Sequence, residues 1–583
     1  MKHSYIILLL LLNLFSCKSS QGQQNKTFFD FRWSIDALNP FWEIIEDHPS
    51  YPHTLIIVPE WDQKGRVSTL LPLFQTRNTH PEISIHLHYR TESLSELYFK
   101  LVAFGECERV LSVDTLHFPF SNEWIDYSRS ITVENAMFLE LFINARADSI
   151  QMMVEPYRAG VLIEGFNVLV DGKPIDLQVV PATRTPLIRS DAIPFDSSNL
   201  SHMPFMDSKI LAIGETVHGT ETFNRIAADI IKERILHHNC RLVLLELPLE
   251  FSLYINRFIF GDPNFTRDYI VNYIDNILLC SHIFISLIDW IKEFNQYSEE
   301  WVYFFGMDVI PDDWKRHLDL FDFFYTLSQT NKDETLIEIN RLLLGQSSAI
   351  KDVISLFDAN QGFENILTKG ESMLVRHAML LLYNRLSTPE LRDRTMYKNI
   401  QLLMGKFLPP GNTVTIFSHF GHSNYRSLIM RMTIMEEMPF GYYMRHRHQE
   451  DFSSIALITD RGNSLHFNFH STGFEKIKFQ SSPIGSIEHL INRLDIDAYI
   501  PMDRFVCSDA LTIRLLGLRP VEGFHFIFPK VRMDGAIFVR EVTAIQKNEE
   551  IMNREVHTFL LRGERHRQAR LKVGLEASSV PLH

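Results

Sequence analysis

An α/β fold is what this 583-residue sequence predicts: a mostly parallel sheet with flanking helices and a helical insert, preceded by an all-β sandwich domain. Three observations predict it. Residues 28–178 run as short segments of alternating polar and apolar residues separated by turn signals, the pattern of half-buried antiparallel strands. After residue 206 the grammar changes to short continuous apolar runs alternating with longer stretches of helical periodicity, which indicates crossover units and parallel strands. The length itself exceeds what one hydrophobic core supports, so at least two domains are expected.

The balance of 45% hydrophobic and 22% charged residues is that of a folded protein. The net charge of −14 is spread along the chain, so no large basic surface for nucleic acid is expected. A local basic run at residues 562–572 reads as a solvated C-terminal helix.

The elements follow in order. Lys2 and the apolar run at residues 5–12 form the first two regions of a secretory signal, too short to span a bilayer. The run closes on Leu14-Phe15-Ser16-Cys17, which resembles a bacterial lipobox, with Phe15 where a smaller residue is usual. Residues 1–17 are therefore expected to be a lipoprotein signal, with Cys17 lipidated and residues 18–27 a polar tether. That places the protein in the cell envelope, anchored to a membrane and facing the periplasm or the outer membrane. Cys107, Cys240, Cys280 and Cys507 are widely spaced with no C-x-x-C, so neither a zinc site nor a disulfide framework is expected. Cys240, beside an apolar strand, reads as a buried free thiol.

Within residues 28–178, HPEISIHLHYR, ELYFKLVAFGE, AMFLELFINA and GVLIEGFNVLVDGKPI read as strands, with Asp171-Gly172 as a hairpin turn. His86 and His88 share one strand face, but no third ligand is near, and an exposed sheet face accounts for them. The region carries no evident chemistry, and a sugar-binding accessory or a packing module fits it equally. Prolines and serines without periodicity make residues 179–206 a linker.

Residues 207–583 hold the chemistry. In KILAIGETVHG (209–219) an apolar strand at 210–213 is broken by Gly214, and Glu215 and His218 follow in a turn that opens a helix marked by Phe223, Ala227, Ile230 and Ile231. A second strand at 242–245 ends in Glu246 and Pro248, and a third at 302–305 runs into Gly306-Met307-Asp308. Residues 311–407 are helical, as in SMLVRHAMLLLYNRL, and Pro409-Pro410-Gly411 stop them. A fourth strand at 413–417 leads into Ser418-His419-Phe420-Gly421-His422. In open α/β sheets ligands bind outside the carboxyl ends of the strands. If the four strands are parallel neighbours, Glu215, His218, Glu246, Asp308, His419 and His422 converge on one sheet edge. Buried charges need partners, a metal or a reaction; a purely structural polar network is the bland alternative.

Hydrolysis suits such a set. An imidazole takes a proton from attacking water, a carboxylate fixes its tautomer, and further imidazoles donate to the oxyanion. No G-x-S-x-G elbow is present, and Ser418 lacks that context, so direct water attack is preferred. Zinc or manganese held by the same Glu/His set is the second enzymatic reading, although no H-E-x-x-H occurs.

GETVHG, LLELP with NRFIFG (256–261), FFGMD, RDRTMYKN (392–399) and SHFGH resemble, in this order, the motifs of the erythromycin esterase family across about residues 210–542. The resemblance implies an α/β hydrolase-like domain with a helical insert, cleaving an ester or lactone by activated water without a cofactor. By this match His218 is the general base, and Glu215 and Glu246 orient it or the water. His419 and His422 hold the substrate carbonyl or oxyanion. Arg225 is a positioning charge in the same cleft and, with Asp308, is expected to bind substrate. The chain departs from the family pattern at Phe420, where asparagine usually follows the first histidine. A macrolide substrate is not implied; the appended sandwich and the anchor suggest another, envelope-facing small molecule. A non-catalytic lipoprotein that binds haem or another small ligand is the reading outside enzymes. His237 and His238 sit at a helix end, His377 on an amphipathic helix, and His446 and His448 in a basic rim.

Overall fold

A computed structural model describes residues 33–35, 43–48, 51–58, 65–73, 78–92, 94–147, 160–175, 183–198, 200–273, 281–309, 313–331, 333–344, 350–387, 392–426, 438–468, 473–517, 523–546, 569 and 571–572. The signal segment with Cys17, the tether, Cys280 and most of the basic run at 562–572 lie outside these. Two compact units are formed, Met1–Gly105 with Val110–Val179, and Glu106–Arg109 with Val180–His583. Among the described residues no helix is long and apolar enough to cross a membrane.

The first unit is all-β, with a five-stranded and a six-stranded antiparallel sheet. Strand Glu82–Glu92 shows why: Ile83, Ile85, Leu87 and Tyr89 are buried while the residues between them are not, as a period of two requires. They share one core with Phe99 and Leu101 of Leu94–Phe104 and Leu139 and Leu141 of Phe138–Ala147. Asp171 and Gly172 both have positive φ, 50° and 73°, which the tight hairpin between Gly160–Val170 and Lys173–Pro174 demands. On the outer face His86 Nδ1 lies 2.9 Å from Ser128 Oγ, and His88 Nδ1 lies 2.9 Å from Asp126. His88 also stacks on Trp124, so both histidines are cross-strand surface contacts.

The second unit is built on a sheet whose central strands are β1 (Ile210–Glu215), β2 (Cys240–Pro248), β3 (Tyr303–Asp308), β4 (Thr413–His419), β5 (Phe452–Asn468), β6 (Ala498–Pro501) and β7 (Gly535–Val542). Their order is β6-β7-β5-β1-β4-β2-β3, with β6 antiparallel to β7 and the rest parallel. β1 is buried at every position, as a strand covered by helices on both faces must be. Helix α1 (Glu221–His237) follows β1, and α2 (Leu249–Ile259) follows β2. The helical insert closes with α3 (Arg392–Phe407), and the four-residue α4 (Phe420–Ser423) caps β4. Because the chain adds β2 and β3 before returning to place β4 between β1 and β2, a crevice opens at the carboxyl ends of these strands.

Two expectations change here. Cys107 and Cys507 form a disulfide, spanning 400 residues of sequence, so wide spacing did not mean free thiols. Cys240 is the buried free thiol among the described residues. The supposed linker is not featureless either. Ile193–Pro194 pairs antiparallel with β6, and the Asp509 carboxylate accepts the Arg184 N–H at 2.6 Å.

Candidate active site

Parallel register sets Glu215 of β1 opposite His419 of β4, and Leu245 of β2 opposite Phe417. The strand ends therefore present Glu215, Glu246, Asp308 and His419 along one edge. Past β1 the chain is held on both sides. Thr216 N–H donates to the Leu457 carbonyl at 3.1 Å, His218 N–H to Leu516 at 2.9 Å, and Leu516 N–H back to Thr216 at 2.9 Å. Gly219 then turns with φ +75°, and a Cβ there would run into the Leu465 carbonyl.

His218 Nδ1 lies 2.6 Å from Glu215 Oε1, both side chains being buried. A carboxylate at that distance fixes the Nδ1–H tautomer and leaves Nε2 as the basic nitrogen. Burial draws the His218 imidazole down, but the hydrogen bond and charge of Glu215, with Glu246 behind, hold it above its ordinary range. Burial pushes the Glu215 carboxyl up against the same hydrogen bond.

The His419 ring packs against His218, centroids 4.5 Å apart. Its Nδ1 accepts the Gly421 N–H at 3.2 Å, so the ring proton sits on Nε2, which is buried without a protein partner. Burial and the neighbouring His218 hold His419 well below its ordinary value, which keeps it neutral. A buried neutral N–H without a protein partner is a donor of the kind that can polarise a carbonyl.

His422 is the opposite case. Burial lowers it, yet Asp393, 2.9 Å from Nδ1, and Glu246, 3.5 Å from Nε2, push it up to about 9. It is a fixed cation at neutral pH. Glu246 also accepts the His419 backbone N–H at 2.7 Å and Arg392 Nη2 at 2.9 Å. Burial would raise its carboxyl, but His422, Arg392 and His218 together hold it far below the carboxylate range. Arg392 further grips Asp308 with Nε–Oδ1 at 2.8 Å and Nη2–Oδ2 at 2.6 Å, a two-pronged contact.

The structure thus brings together Glu215, His218, Glu246, Asp308, His419 and His422. Asp308 is fully engaged by Arg392 and by the Val309 N–H at 2.7 Å, so it orders the arginine. Arg225 is a correction: it lies on the exposed side of α1, paired with Glu221 at 3.3 Å, because position 225 faces away from the sheet. The arginine of the cluster is Arg392, and its neighbour Asp393 anchors His422. Both stand in RDRTMYKN, and two adjacent opposite charges opening a helix were the available signal. Among the described residues no group of three or more histidine, cysteine, aspartate or glutamate side chains is set to hold a metal ion.

Other motif residues brace the frame. Asn256 bonds both ways with Phe304, and Asn399 donates to Met307 at 2.9 Å while meeting His377 Nε2 at 2.8 Å. Phe420 is fully buried in a core with Ala456, Ile458 and Phe538, so its ring fills the interior behind β4. His237 is exposed near Glu233, His238 pairs with Asp207 at 3.0 Å, and His448 meets Gln401 at 2.8 Å.

Residues 333–542 match the model of the family described as erythromycin esterase. That span holds Arg392, Asp393, His419 and His422; the ends of β1, β2 and β3 precede it. No curated protein matches the chain significantly in sequence. Among solved structures the chain is similar to a Bacillus cereus protein, at 15% identity over 62% of this chain and 97% of that one, TM-score 0.43. It is similar to a succinoglycan biosynthesis protein at 13% identity over 62% and 97%, TM-score 0.46. A third is an erythromycin esterase mutant in its open conformation, at 13% identity over 63% and 99%, TM-score 0.42. Residues 333–542 thus match the erythromycin esterase family, and that match supports a hydrolase.

Proposed function

We propose that the second unit cleaves a carboxylic ester or lactone by water that His218 activates. The observation that carries this reading is the pairing of a carboxylate-bound imidazole with a neutral one. His218 is bonded to Glu215 at 2.6 Å, and His419 packs against it with an unpartnered Nε2–H. Water between them gives its proton to His218 Nε2 as its oxygen attacks the carbonyl carbon. His419 Nε2–H donates to the carbonyl oxygen as it becomes negative. The imidazolium at His218 is stabilised by Glu215, and the same proton passes to the leaving alkoxide when the carbon–oxygen bond breaks. Glu246 and the cations Arg392 and His422 hold the His419 backbone and the surrounding charge in place. His218→Ala should lower kcat by a hundredfold or more on a panel of esters and lactones while the fold persists. Unchanged turnover in that variant would remove His218 from the role of base.

The protein is also proposed to be an exported lipoprotein anchored through Cys17. The signal-like N-terminus supports this, as does the Cys107–Cys507 disulfide, a bond suited to an oxidising compartment. Radiolabelled palmitate should enter the full chain in a bacterial host and not its Cys17→Ser variant. Equal labelling of both would sink the assignment.

A further inference from the structure

Outside the main sheet lies a two-stranded ribbon, Leu511–Leu515 paired antiparallel with Gly523–Ile527. Its first strand, LTIRL, is buried at every position, and its one charge is Arg514, which is fully buried. Taking an arginine out of water is costly unless the surroundings answer its charge and donors. Here Nη2 donates to the Asp460 carbonyl at 2.9 Å, the Gln480 carbonyl at 2.6 Å and Ser482 Oγ at 3.0 Å. The guanidinium also lies over the rings of Phe479 and Phe524, 4.7 and 4.8 Å from their centroids. The Arg514 backbone N–H donates to Oε1 of the buried Glu488 at 2.7 Å. These contacts join the ribbon to β5. Asp460 stands three residues beyond Leu457, the β5 residue that pairs with Glu215 and accepts the Thr216 N–H. Two residues beyond Arg514, Leu516 accepts the His218 N–H at 2.9 Å and donates to Thr216 at 2.9 Å. Residues 216–218 are therefore held between two walls, β5 at Leu457 and the ribbon end at Leu516, and Arg514 ties one wall to the other. An apolar side chain at 514 would fill the strand without making that tie.

We propose that Arg514 is a positioning residue for the base. By fixing the spacing between the ribbon and the end of β5 it holds the turn at 216–218, and with it the 2.6 Å contact of His218 Nδ1 with Glu215. Glu215, Glu246 and His422 are the charges that face His218, and the His419 ring packs alongside. Burial works against protonation of His218, and Glu215 does most to hold the ring above its ordinary range. A turn that loosens therefore costs the ring proton affinity. The proposal rests on the hydrolase reading for its effect on turnover and on the backbone geometry alone for its effect on the ring.

The test compares the full wild-type chain with Arg514→Lys, which keeps the charge and loses the forked guanidinium. Arg234→Lys is the control. Arg234 is as deeply buried, but it donates to the Ser208 carbonyl at 2.7 Å and the Val414 carbonyl at 3.2 Å, at the amino ends of β1 and β4. The His218 ring is titrated by hydrogen–deuterium exchange at its C2 carbon, read by mass spectrometry of the peptide that holds it, with His218→Ala identifying the signal. Arg514→Lys should move the titration midpoint down by about one pH unit, a tenfold loss of proton affinity. It should also lower kcat about tenfold on the panel of esters and lactones, with KM unchanged. Arg234→Lys should change neither. No downward shift in a folded Arg514→Lys protein, or an equal shift in the control, overturns the proposal. If Arg514→Lys does not fold, Ser482→Ala, which removes one of the three acceptors, is read in its place by the same two outcomes. If wild type cleaves no member of the panel the hydrolase reading fails separately, and the ring titration alone decides for or against Arg514.

Discussion

His218, His419 and His422 are one residue type in three electrostatic states within a single crevice. Each state follows from the groups packed around the ring. Glu215 favours the charged form of His218, the Gly421 N–H and burial keep His419 neutral, and Asp393 with Glu246 makes His422 a lasting cation. A pH profile follows with its sign. As the proposed base, His218 must be neutral to work, so kcat/KM should fall on the acid side through an apparent pKa above about 6.5, the ordinary imidazole value. On the alkaline side activity should fall again as His422 loses its proton at about 9. The same raised value makes His422 a stabiliser, fully so below about pH 6.5 and lost as pH rises through about 9. Rate measurements and melting curves of wild type and His422→Gln between pH 5 and about 10 read both effects. A difference in melting temperature that grows with pH would contradict the assignment.

At the scale of elements, the site depends on where strands stop. β1 delivers Glu215 as its last residue, and the turn to α1 is held by Leu457 on one side and Leu516 on the other. Gly219 lets that turn close, since its φ of +75° and its contact with the Leu465 backbone leave no room for a side chain. Gly219→Ala should therefore displace His218. kcat is expected to fall at least tenfold, with roughly 1–3 kcal/mol lost in denaturant unfolding for the left-handed strain alone. Full activity in a folded Gly219→Ala protein would show that the turn tolerates movement. β4 gains its place between β1 and β2 only after the helical insert, and α3 brings Arg392 and Asp393 back to the strand ends on the way. The insert is thus part of the site and supplies Arg392, one of the cations that, with His422 and His218, keep Glu246 ionised.

Across the whole molecule the second unit includes a four-residue piece, Glu106–Arg109, drawn from between two strands of the first. Cys107 is bonded to Cys507, Cys107 N–H donates to the Cys507 carbonyl at 2.9 Å, and Glu108 is a fully buried partner of Arg532 at 2.5 Å. Removing the disulfide frees a very long loop, and about 2–4 kcal/mol of stability should go with it. In a form that begins after Cys17, the remaining four of the chain's five cysteines give a direct count. Denatured protein should show two reactive thiols before reduction, Cys240 and Cys280, and four after it. Four before reduction would exclude the bond.

Sequence by itself determined the layers and the strand tips. A period of two gave the sandwich strands, and apolar runs broken by ionisable residues located Glu215, His218, Glu246, Asp308, His419 and His422, because strand direction and burial are local properties that leave a local pattern. Partnership is not local. Arg392 reaches Asp308 from 84 residues away and Glu246 from 146, and Cys107 reaches Cys507 from 400. No periodicity records such a distance. Arg225 stood close to His218 in sequence yet turned to solvent on α1, while Arg392 stood far off and entered the crevice. Only the packing of the insert against the sheet decided which arginine the carboxylates would hold, since a buried charge is stable only where the completed fold sets its counter-charge beside it.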